Sequence, residues 1–69
     1  MSVDRVVRTA IELAETGAPN AAEVLAANPT EVLHAAHAQL LGGLKLNPFF
    51  DPTGVRATRL VTAALAEAA

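Results

Sequence analysis

Asn20-Ala21-Ala22-Glu23-Val24-Leu25-Ala26-Ala27-Asn28-Pro29-Thr30-Glu31 decides the fold, because it announces two helix starts in close succession. Asn20 precedes Glu23 by three residues, and Asn28 precedes Glu31 by three. This is the capping-box spacing, in which each of the two side chains satisfies a free backbone N–H of the other's residue. Pro29 falls at the first helical position, where a missing N–H costs nothing. The first signal predicts a short helix through Val24, Leu25 and about Ala27. The second predicts a longer helix to about Leu41, burying Val32, Leu33, Ala36 and Leu40 and stopping at Gly42-Gly43.

Toward the amino terminus, Ser2 is placed to cap a first helix whose apolar stripe is Val3, Val6, Val7, Ala10, Ile11 and Ala14. Asp4–Arg8 and Arg8–Glu12 are opposite charges four residues apart on its outer face. Gly17 supplies a left-handed stop. Toward the carboxyl terminus, Asp51-Pro52 opens a fourth helix with a stripe of Val55, Leu60 or Val61, Ala64, Leu65 and Ala68. The nine residues Leu44–Pro52 read as an irregular segment, and β structure is confined at most to a short extended piece at Leu44–Leu46. The expected fold is all-α. It is a small four-helix domain, orthogonal or bundle-like, spanning residues 1–69, with one irregular Pro/Phe segment before the last helix.

Composition narrows the function classes. Sixty-nine residues make at most one small domain, and small folds usually need a staple. The absence of cysteine removes disulfides and cysteine-ligated metal centres. Hydrophobic residues are 52% of the chain, yet sixteen of them are alanine, which buries little area. A thin core without staples points to self-association as the remaining stabilising device. No stretch approaches the roughly 20 apolar residues of a membrane span. Asp4, Arg5, Arg8 and Glu12 interrupt the first segment as no signal peptide would allow, so a cytoplasmic location is expected. The abundance of alanine, with four arginines to one lysine, fits GC-rich coding of the bacterial or phage kind. The net charge of −2 leaves little basic surface for a phosphate backbone.

Four constellations invite a chemical reading. His34 and His37 lie one turn apart, with Glu31 a further step of three before them. A zinc or nickel site would need more ligands than these, so the expectation is two surface histidines and no metal. The outline of Ala21–Leu41 is that of a helix-turn-helix. The positions offered to a major groove are Thr30, Glu31, His34, His37 and Ala38, none of them Arg or Lys. A DNA-binding regulator built on residues 21–41 is therefore the alternative reading rather than the first. Arg56 and Arg59, one turn apart early in the fourth helix, suit a phosphate or a partner carboxylate. Cations near a helix amino terminus oppose its dipole, which makes a partner for Arg56 worth seeking.

Phe49 and Phe50 are the only aromatic residues, adjacent and flanked by Pro48 and Pro52. In extended backbone the two rings point to opposite sides, so one is an anchor candidate. There is no glycine-rich phosphate loop, nucleophile elbow or isolated carboxylate pair, and no catalysis or cofactor is expected. The expected function is non-catalytic: a self-associating interaction or assembly module, acting as adaptor, structural subunit or regulator. The expected partner-binding residues are Leu46, Phe49, Phe50, Arg56 and Arg59. The expected partners are a second copy of the chain and another protein, with nucleic acid disfavoured and no membrane. Protein association predicts a mass above the monomer that survives moderate salt. DNA binding predicts a salt-steep shift on random duplex.

Overall fold

In the computed structural model, which describes residues 3–46 and 52–68, four helices follow one another: α1 Val3–Thr16, α2 Ala21–Ala26, α3 Thr30–Leu46 and α4 Pro52–Ala68. No strand occurs among the described residues. The all-α architecture expected from the spacing of apolar residues is what the chain forms. α4 is the hub, packing against each of the other three helices, and its pairing with α3 is the most extensive.

The periodicity explains the arrangement. α1 buries Val6, Ala10 and Ala14, one residue per turn, with Val3, Val7, Ile11 and Leu13 half-buried beside them. α2 buries Ala21 and Leu25, and α3 buries Leu33, Ala36 and Leu40. Val32, expected in the core, is half-buried at its edge. α4 must touch three neighbours, so its buried face is broad and built of small side chains: Gly54, Ala57, Thr58, Val61 and Ala64. Of its expected stripe, Val61 and Ala64 are buried, Val55, Leu60 and Leu65 are half-buried, and Ala68 is exposed. The radius of gyration is 10.8 Å, close to the roughly 11 Å of a normally dense domain of this length. The alanine-rich core therefore packs closely rather than leaving the helices apart.

Buried polar atoms are accounted for within the helices. The Thr58 hydroxyl donates to the Gly54 carbonyl at 2.8 Å, and the Thr62 hydroxyl donates to the Thr58 carbonyl at 3.0 Å. No buried side-chain nitrogen or oxygen lacks a partner among the described residues. Asp4, whose spacing pairs it with Arg8, receives a hydrogen bond from the Gln39 amide at 3.3 Å, tying α1 to α3.

The helix ends hold three corrections. α3 does not stop at Gly42-Gly43 but runs through both glycines to Leu46, so Leu44–Leu46 is helical and not extended. A glycine stop requires a left-handed residue, and Gly17 is the only described glycine with positive φ. Glycine inside a helix costs about 1 kcal/mol relative to alanine.

The second correction concerns Asn20. It precedes α2 but makes no side-chain cap hydrogen bond, its angles being φ −105° and ψ 22°. These are the angles of the third residue of a type I turn, with Pro19 at the favoured second position. The Ala21 N–H closes that turn on the Ala18 carbonyl at 3.4 Å. Asn20 is thus committed to the turn and lacks the extended backbone that aims a capping side chain.

Third, the Asn28 side chain turns backward. Its amide and its backbone N–H both donate to the Leu25 carbonyl at 3.0 Å, closing α2. α3 opens instead on the Pro29 carbonyl, which accepts from Val32 and Leu33 at 3.1 Å each. The expected Gly17 stop is present as read, and Pro52 begins α4. Ser2 and Asp51 lie outside the described residues. No described helix is long and apolar enough to cross a membrane.

Candidate functional site

The end of α1 and the first half of α4 enclose a shallow groove of about 310 Å³, lined by Leu13, Ala14, Gly17, Ala18, Arg56, Arg59 and Leu60. Each wall follows from local sequence. α1 ends where Gly17 takes φ +68°, a conformation that costs an L side chain about 1–2 kcal/mol. The Leu13 carbonyl accepts from both the Gly17 N–H at 3.0 Å and the Ala18 N–H at 3.3 Å. That closure turns the chain sharply and leaves the Leu13 side chain half-buried in the lining of the groove. On the facing wall, Leu60 is half-buried while Arg56 and Arg59 are exposed one turn apart.

The electrostatics of this corner are lopsided. Among the described residues no carboxylate lines the groove, and the last turn of α1 carries no basic residue of its own. Arg56 and Arg59 therefore bring positive charge from α4 to the region of the α1 carboxyl end, where the helix dipole is negative. This offsets the poor placement that the sequence implies for cations early in α4. The guanidinium groups remain exposed, with donors available to a carboxylate from outside. Apolar floor and cationic rim together suit an apolar side chain accompanied by an acid.

Of the expected partner-binding residues, Arg56 and Arg59 are brought together in this groove. Phe49, Phe50 and the side chain of Leu46 lie outside the described residues. Leu13, Ala18 and Leu60 were not singled out from the sequence. The Gly17 stop marks where α1 ends, but which turn of α4 faces that end is a tertiary fact.

Elsewhere the described surface is chemically plain. A second depression of about 530 Å³ runs along the outer face of α1, between Asp4, Arg5, Arg8, Thr9 and Glu12. It is lined by one helix with charges of both signs and has no apolar floor. His34 is exposed and His37 half-buried, and no group of three His, Cys, Asp or Glu side chains that could hold a metal occurs among the described residues. At the Ala21–Leu41 corner, α2 and α3 touch each other less than any other helix pair, each resting on α4 instead. The exposed positions of α3 from Thr30 to Leu41 are Thr30, Glu31, His34, Ala35, Ala38, Gln39 and Leu41, and they present no cation to a phosphate. Val24 and Leu41 are exposed large aliphatic residues, at 41% and 40%.

No family model, curated protein or solved structure matches the chain.

Proposed function

We propose that this protein is a non-catalytic, cytoplasmic assembly module that self-associates, and that the α1–α4 groove is its contact surface. One observation carries the reading: the groove joins an apolar floor, Leu13 and Leu60, to two exposed guanidinium groups, with no acid among its described lining residues. Arginine is enriched at interfaces and among their anchoring residues. Its volume of about 310 Å³ is at the small end of ligand pockets, which span about 300–1,000 Å³. An open groove of that size suits one anchoring side chain better than an enclosed metabolite. The small residues that fill the core support the same reading, because a thin core gains from further burial on association.

Sedimentation equilibrium tests the proposal. Mass should rise above that of the 7.1 kDa monomer as concentration increases, and Arg56→Ala with Arg59→Ala should lower the association constant while leaving the helical circular dichroism intact. A chain that stays monomeric at every concentration contradicts it. So does an association constant indifferent to the two arginines.

A further inference from the structure

We infer that the occupant of the groove is α2 of a second copy, with Val24 seated on the apolar floor and Glu23 paired with Arg56 and Arg59. The inference rests on the self-association just proposed and names its geometry. Glu23 and Val24 lie side by side on α2, with Asn20 just before the helix and Ala27 just after it, three residues away on either side. All four are exposed, opposite the buried Ala21 and Leu25. Val24 is 41% exposed, unusually so for a branched aliphatic side chain in a chain with few large apolar residues.

Charge complementarity selects this patch. Among the described residues the groove is lined by two cations and no carboxylate, while the patch carries Glu23 beside Val24 and has no cation. Leu41, the other exposed large aliphatic residue among those described, has His37 and Ala38 one turn before it and no acid. It would bring nothing to the two guanidinium groups. Val24 and Glu23 match both features of the groove at once.

A two-fold dimer in which each copy gives α2 and receives α2 satisfies both patches at once, and two-fold closure is the commonest form of homo-oligomer. Stable interfaces bury about 800 Å² per partner, a large share of a surface of 4466 Å², so the dimer should be weak and concentration-dependent.

Charge reversal tests the pairing in the intact chain. Three variants are compared with wild type by sedimentation equilibrium up to about 1 mM, a range that captures weak dimers: Glu23→Arg, Arg56→Glu with Arg59→Glu, and all three substitutions together. All the altered side chains are exposed, so circular dichroism should be unchanged. Glu23→Arg and the arginine pair should each weaken association about tenfold or more, and the triple variant should return to within about threefold of wild type. If the arginine pair weakens association but Glu23→Arg does not, the groove remains the contact and α2 is not its occupant. If neither matters, or the wild type is monomeric throughout, the groove reading falls with it.

Discussion

The Gly17 N–H donates to the Leu13 carbonyl at 3.0 Å while Gly17 holds φ +68°. This single closure ends α1 and sets one wall of the groove that Leu13 and Gly17 share with Arg56 and Arg59. A β-carbon at Gly17 would meet nothing within 4 Å, so space is no obstacle there. Conformation is. Gly17→Ala should cost about 1 kcal/mol or more of stability, because the left-handed region disfavours a side chain. A urea midpoint equal to wild type would show that the turn does not depend on glycine.

Gly42 and Gly43 should respond with the opposite sign. Both lie inside α3, neither has positive φ, and a β-carbon on either would meet nothing within 4 Å. Alanine reduces the freedom of the unfolded chain at no steric cost, so Gly42→Ala and Gly43→Ala should each stabilise by about 0.4–1 kcal/mol. Thermal melting of the single and double variants reads this directly. A loss of stability would mean that the helix does not continue through these positions in solution.

Two leucines on α3 separate burial from composition. Leu33 is fully buried and Leu41 is 40% exposed. Leu33→Ala should cost about 2–5 kcal/mol, a large part of the roughly 3–10 kcal/mol expected of a domain this size. The variant should melt well below wild type. Leu41→Ala should change stability by less than about 1 kcal/mol. Equal losses at the two positions would contradict the packing of α3 against α4.

The helical framework was legible because its signals are local. The stripe Val6, Ala10 and Ala14 and the Gly17 stop depend only on residues within a turn or two of each other. The glycines of α3 were misread because Gly17 and Gly42 are the same residue type, and only the backbone angle distinguishes a stop from a weak helical position. Asn20 and Asn28 were misread for a related reason. Each has the spacing of a cap, but a turn led by Pro19 and the carbonyl of Leu25 at the end of α2 compete for them. Arg56 and Arg59 stood out by charge, whereas Leu13 and Leu60 did not, because an apolar residue at the edge of a stripe looks like core. Their role in the groove exists only once the end of α1 is laid against α4.

Dilution of the ¹⁵N-labelled protein, followed amide by amide, tests the central claim most directly. Between about 1 mM and 10 µM, a range that spans a weak dimer, the amide signals of Leu13, Ala18, Arg56, Arg59 and Leu60 should shift together with those of Glu23 and Val24. Residues on the far face of α3, such as Ala35 and Ala38, should stay still. Shifts confined to α3, or none at all, would contradict association through the α1–α4 groove.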